Sequence, residues 1–336
     1  MILVTGGTGL LGSHLLYELV RQNEEVVALK RPSSDLEEVK RVFGYCNHEA
    51  DELFRLIDWV DADLMNQADV ERCLKDVDRV YHCAGMVSFQ PRDRDRMIRF
   101  NMESTASVVN ACLAKGVQKM LHVSSTSAIG KPPDNESGNE SMIWASSKTN
   151  TGYSESKFRS EMEVWRGMEE GLNAVIVNPS IILGAGFWER GSSAIFSRVA
   201  KGMKYAAPGI TGYVGVQDVV SSMIRLMNSE ISGERFIISS ENFSYRQVFE
   251  MIGTSLGKPR DLKLVSEKLM KNLVKLDGAA GFFTRKRRIT SEMVRSAFSE
   301  VHFSTEKIQE ALDIRFTPLE QVIEHVAMHY LNDHKS

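Results

Sequence analysis

Two side chains in this sequence stand at a spacing suited to moving a proton. Tyr153 and Lys157 are four residues apart, and in a helix that separation stacks both on one face. A free phenol ionises at about pH 10, so it is a poor base near neutrality until a neighbouring cation stabilises the phenolate. Of the eight tyrosines, Tyr153 alone has a lysine four residues on. A partner for them is offered by His122-Val123-Ser124-Ser125-Thr126-Ser127-Ala128-Ile129-Gly130, where an apolar run ends in four consecutive hydroxyls. One of these could hold a substrate oxygen within reach of the phenol.

A second group of residues suits a nucleotide. Thr5-Gly6-Gly7-Thr8-Gly9-Leu10-Leu11-Gly12 follows a short apolar run and opens a helical pattern. So tight a turn needs residues without a Cβ, and the helix amides behind it face the negative charge of a pyrophosphate. About 20 residues on, an acid would hold a ribose 2'-hydroxyl, whereas a cation would hold a 2'-phosphate. Here the chain reads Lys30-Arg31-Pro32-Ser33-Ser34, which favours NADP over NAD, although Asp35 could still reach a ribose. Asp63 and Leu64 suit an adenine edge and face, or a helix cap. Cys83, Ala84 and Gly85 are small enough for a cofactor to lie close to the chain.

The elements that must carry these residues alternate between short apolar runs and amphipathic stretches, the mark of βαβ units. Strands are expected at Met1 to Thr5, Glu25 to Leu29, Leu56 to Asp61, Arg79 to Ala84, Lys119 to Ser124 and Ala174 to Asn178. Helices are expected at Gly12 to Arg21, Met97 to Lys115 and Tyr153 to Glu169. The strands are rich in Val, Ile and Leu without strict alternation, as in a parallel sheet covered on both faces. The expected fold is therefore α/β: a Rossmann-type doubly wound parallel sheet over 1–180, with a smaller C-terminal substrate lobe over 181–336. Residues 214–240, including a helix from Asp218 to Asn228 and a strand from Arg235 to Ser239, are expected to pack back on the first part.

The bulk composition excludes several classes. A formal charge of -3 on 336 residues gives no reason to expect a nucleic-acid partner. No run of about 18 apolar residues could span a membrane. The four cysteines, Cys46, Cys73, Cys83 and Cys112, form no metal-ligand spacing, so no metal site is expected. Reduced thiols and an N-terminus that runs straight into the glycine turn suit a cytoplasmic protein. Arg285-Lys286-Arg287-Arg288, the strongest charge run, reads as a solvated face, with a phosphate or an anionic lipid surface as the lesser alternatives.

Together these motifs resemble the extended branch of the short-chain dehydrogenase/reductase superfamily, over essentially the whole chain though weakly after about residue 260. Thr5 to Gly12 is similar to its T-G-x-x-G-x-x-G turn, and Tyr153-Ser154-Glu155-Ser156-Lys157 to its Y-x-x-x-K. The resemblance places the catalytic hydroxyl at Ser125, with Ser124 as the alternative, and matches Asn101 to a helical Asn of the family. It also matches Asn178 to Gly184, including Pro179, Ser180 and Ile182, to the segment that passes the nicotinamide. It implies hydride transfer between nicotinamide C4 and a carbinol carbon, with Tyr153 exchanging the proton, Ser125 holding the oxygen and Lys157 tuning both Tyr153 and the ribose.

Within the superfamily, dehydratases carry an Asp-Glu pair where this chain has Thr126 and Ser127, which argues against dehydration. Lys30-Arg31 and the stretch from Val80 to Phe89 resemble dihydroflavonol-4-reductase-like and 3β-hydroxysteroid dehydrogenase-like members. An NADP-dependent reduction of a small-molecule aldehyde or ketone is thus expected. An NAD-dependent nucleotide-sugar epimerase is the alternative, and a non-catalytic NADP-binding scaffold the third reading. Ser88, Phe89, Met142, Ile143 and Trp144 are the candidate substrate contacts, and their apolar character suggests a partly hydrophobic substrate. By analogy with the family, a homodimer through the helices at 97–115 and 153–169 is possible.

Overall fold

The computed structural model describes residues 1–46, 50–132, 136–147, 150–284 and 290–335; the basic run at 285–288 lies outside the described residues. Seven strands form the main sheet: β1 (Ile2–Thr5), β2 (Val26–Lys30), β3 (Ile57–Asp61), β4 (Arg79–His82), β5 (Lys119–Val123), β6 (Ala174–Pro179) and β7 (Glu234–Ile238). Their order is β7-β6-β5-β4-β1-β2-β3, and every pairing is parallel. The chain winds outward from β1 in one direction and then from β4 in the other. A crevice therefore opens at the carboxyl ends of these two neighbours, where open α/β sheets take their ligands.

The strands lack strict alternation because both faces are buried. Ile2, Val4, Leu121, Val123, Val175 and Val177 point into one core, against Leu15, Leu16, Leu19 and Val20 of helix α1 (Leu10–Arg21). Leu3, Val80, Met120, Ala174 and Ile176 point into the other, against Val108, Val109 and Cys112 of α2 (Arg94–Lys115) and Val164 of α3 (Gly152–Glu169). All residues of β5 and β6 are buried, and each large aliphatic side chain so placed contributes roughly 1.5–3 kcal/mol.

Helix ends follow local chemistry. Thr151 caps α3, its hydroxyl accepting from the Ser154 amide at 3.0 Å. α2 ends at Gly116, whose φ of 66° is the left-handed conformation that closes helices. It starts at Arg94, not Met97, because its first turn is charged and carries no apolar periodicity. β4 stops at His82, two residues earlier than expected, because the Ala84 amide turns to the Thr5 side chain.

Helix α4 (Val216–Met227) returns to the first core through Val219, Val220, Met223 and Leu226. A third core is separate. Leu183, Trp188, Phe196, Tyr213, Val248 and Ile252 pack against Leu319, Ile323, Val326 and Tyr330 of helix α5 (Leu319–Asp333). Its small sheet pairs Ile210–Gly215 with Ile181–Leu183 in parallel and with Glu241–Ser244 in antiparallel. No helix among the described residues is long and apolar enough to cross a membrane, and none of their His, Cys, Asp and Glu side chains form a metal-binding group.

Candidate active site

The glycine turn is shaped by close approach. Gly6 has a φ of 72°, and a Cβ there would lie 2.6 Å from the Ala84 amide nitrogen. A Cβ on Gly12 would overlap the Gly6 carbonyl oxygen. The Gly9 amide donates to that same oxygen at 3.1 Å, and Gly9 begins α1 with no side-chain cap. The first turn of α1 thus keeps its amides for an anion, and bare backbone from Gly6 and Ala84 floors the crevice. The residues present therefore fit a dinucleotide. Thr8, Leu10 and Leu11 are half-buried at the rim.

Beneath this floor a buried polar chain ties β1, β4 and α2 together. The Thr5 hydroxyl accepts from the Ala84 amide at 3.2 Å and is hydrogen-bonded with His82 Nδ1 at 2.7 Å. His82 Nε2 then donates to Thr105 Oγ1 at 3.1 Å, and Thr105 donates to the Asn101 carbonyl at 2.8 Å. Burial lowers the pKa of the ring to about 3, so it is neutral, and with Nε2 donating to Thr105 its Nδ1 accepts from the Thr5 hydroxyl. Asn101 clamps the next segment: its amide nitrogen donates to the Met86 carbonyl and to Ser156 Oγ, and its oxygen accepts from the Met86 amide.

Tyr153 and Lys157 lie on one face of α3. Burial pushes the Tyr153 phenol above its ordinary value, while a hydrogen bond with Ser125 works the other way. Lys157 donates to the Val123 carbonyl at 3.0 Å, and its ammonium lies where a Cβ on Gly85 would come within 3.4 Å. Burial lowers its pKa to about 8, against the opposite pull of Cys83 and Glu161. Of the two candidate hydroxyls, Ser124 is fully engaged by Glu161 at 2.7 Å, while Ser125 turns toward Tyr153 and caps the single turn Thr126–Ala128. The structure therefore brings Ser125, Tyr153 and Lys157 together, while the Ser124 hydroxyl is bonded to Glu161.

A matching family model now gives this site its relatives: the NAD dependent epimerase/dehydratase family matches residues 2–239. The chain belongs to that family. Its members are NAD(P)-linked, and the curated relatives it matches are named reductases and dehydrogenases among others. It is 29% identical over 283 residues to sterol demethylase protein B of Methylococcus capsulatus, covering 82% of this chain and 80% of that protein. It is 25% identical over 341 residues to a putative dihydroflavonol 4-reductase of a Synechocystis species, covering 98% and 94%. The crystal structure of gox2253 superposes with a TM-score of 0.81 at 23% identity, over 100% of this chain and 98% of that one.

In this member of the epimerase/dehydratase family the end of β2 differs from the expectation of two free cations. Lys30 is paired with Asp61 at 2.6 Å, because β3 lies beside β2 and ends in an acid. Arg31 is exposed, and among the described residues its guanidinium has no partner. Asp63 accepts from the Met65 amide at 3.0 Å, so its carboxylate closes a turn, and Leu64 packs on the second core.

Further along the site, the Pro179 backbone is held by pairing with Ile238, and Ser180 presents a buried hydroxyl with no partner among the described residues. Ile182 packs against the first core. The Cys83 thiol, pushed up to about 12 by burial, stays protonated.

The substrate candidates divide. The Phe89 ring stands 6.0 Å from the Tyr153 ring, so it faces the site. Ser88 does not offer its hydroxyl, which donates to Asp93 at 2.8 Å. Trp144 stacks on Phe158 at 4.3 Å and donates to Ser154, which fastens its loop to α3. Ile143 is 86% exposed, and the Met142 carbonyl is held by Arg235. Arg190 escaped the sequence reading: it reaches the Thr8 carbonyl at 3.4 Å from the far lobe, and a lone arginine in a turn carries no signal of that contact.

Proposed function

We propose that this protein is an NADP(H)-dependent reductase of a small-molecule aldehyde or ketone, with the oxidation of the alcohol as its reverse. The observation that carries the reading is the meeting of Ser125, Tyr153 and Lys157 beside the bare backbone at Gly85. When bound, a nicotinamide cofactor supplies the hydride. Tyr153 gives its phenolic proton to the carbonyl oxygen as charge develops there, and Ser125 holds that oxygen in place. Lys157, charged below about pH 8, offsets the phenolate left behind and offers donors to a ribose. Phe89, beside the Tyr153 ring, offers an apolar surface to the substrate. In this reading 1–180 with 214–240 hold the cofactor, and the rest of 181–336 mainly shapes the substrate side.

Preference for the 2'-phosphate rests on Arg31, whose unpartnered guanidinium can grip two phosphate oxygens at once. Titration of nucleotide-free protein with NADPH and NADH tests this. Arg31→Ala is expected to weaken NADPH by about tenfold or more and leave NADH nearly unchanged. Tyr153→Phe is expected to keep NADPH binding and lose about 100-fold or more in turnover. Retained NAD with no NADPH preference would overturn the reductase reading in favour of epimerisation.

A further inference from the structure

One turn beyond Lys157 on the same face of α3 stands Glu161, 2% exposed. A carboxylate in such surroundings costs several kcal/mol unless it is paired and hydrogen-bonded. Here every lone-pair direction is used. Oε2 accepts from Ser124 Oγ at 2.7 Å and from Asn178 Nδ2 at 2.8 Å; Oε1 accepts from Arg235 Nη1 at 2.8 Å and Trp165 Nε1 at 3.3 Å. Asn178 also donates to the Ser125 carbonyl at 3.0 Å.

Arg235, on edge strand β7, continues the network outward. Its Nη2 donates to the carbonyls of Glu140 at 2.8 Å and Met142 at 2.6 Å, and Nε donates to Glu140 again. Glu140 answers by accepting from the Ile237 amide at 2.7 Å. The segment 140–142 is thus strapped to the sheet by one guanidinium, which is itself anchored on one carboxylate of α3. A buried ion pair is weak support for stability, since apolar side chains of like volume do as well. What this pair achieves is registration of parts that are far apart in sequence.

We propose that Glu161 and Arg235 are positioning residues that hold Ser125 and the 140–142 segment in fixed register with Tyr153 and Lys157. This rests on the assignment of Ser125, Tyr153 and Lys157 as the reacting side chains. Glu161→Gln keeps an acceptor for Ser124 but no charge for Arg235 or Lys157. Arg235→Lys keeps the charge pair but cannot fork to both carbonyls.

NADPH oxidation with a reducible carbonyl substrate of the wild type is the first readout. Glu161→Gln is expected to lower kcat about tenfold or more and to move the basic limb of the pH profile to lower pH, because the carboxylate that supports the Lys157 ammonium is gone. Arg235→Lys is expected to raise KM several-fold with less change in kcat, and NADPH affinity should stay within about twofold in both. The double variant should fall short of the two effects combined.

Amide hydrogen exchange needs no substrate: both variants should speed exchange over 139–147 and leave 2–30 protected. Exchange and pH profile as in the wild type, with activity reduced only by the folded fraction, would overturn the proposal. A wild type that turns over no carbonyl while exchange responds as expected would instead count against the reductase reading.

Discussion

At the scale of single residues, the cofactor end is governed by a contest over charge. Asp61 holds Lys30 at 2.6 Å and so withholds one cation from whatever lies beyond β2. Asp61→Asn is expected to release Lys30 toward a 2'-phosphate and to raise the NADPH-over-NADH preference about three- to tenfold. The gain should fade as salt screens it, and paired titrations at low and high ionic strength check this. No gain at low salt would show that Lys30 does not reach the nucleotide. This pair also shows where sequence reading stopped. Lys30 and Arg31 were legible as cations, but Asp61 is 31 residues away, and only strand pairing brings it alongside. Tyr153, Lys157 and the glycines were legible because their spacing is itself the geometry. Which of Ser124 and Ser125 turns toward Tyr153 was not, because it depends on Glu161, a residue that a helical pattern reads as one more surface acid.

At the scale of elements, the strand-turn-helix of β1, the glycine turn and α1 is intolerant at Gly6 and Gly12, where a Cβ would meet backbone atoms. Gly12→Ala is expected to fold less stably and to lose most nucleotide affinity, because a Cβ meets the Gly6 carbonyl oxygen that also receives the Gly9 amide. Thermal melts with and without NADPH check both halves: the variant should melt lower and gain little from the ligand. A ligand-induced shift equal to that of the wild type would show that the turn can relax. The strands were legible to within a residue or two because burial on both faces leaves continuous apolar runs. The start of α2 was not, since its first turn, Arg94-Asp95-Arg96, has no apolar stripe; Arg94 pairs there with Glu155 of α3 and Glu292. Two-residue strands such as His302–Phe303 were beyond reach because nothing in so short a segment is periodic.

At the scale of the whole molecule, burial of neutral histidines ties stability to pH. His14 and His82 are lowered by burial to about 4 and about 3, while each titrates near 6.5 when unfolded. Between these values the unfolded chain binds more protons, so the stabilisation is complete above about pH 6.5 and is lost as the pH falls toward about 4 for His14 and about 3 for His82. Each group contributes a slope of roughly 1.4 kcal/mol per pH unit in that window. Melting temperatures from pH 7 down to 4.5 should fall steeply, and less steeply for His14→Gln; a flat curve would mean that these rings are already protonated in the fold. The strand order carries one more consequence. Read along the carboxyl rim, β3 and β2 present Asp61, Lys30 and Arg31, β1 and β4 the bare backbone of the crevice floor, β5 and the helix α3 that follows it the proposed reacting groups, and β7 the guanidinium that straps segment 140–142. In the proposed reading, the choice of nucleotide and the choice of substrate sit at opposite margins of one sheet, with the chemistry between them. A lineage, or an engineer, can exchange one margin at a time without retuning the other.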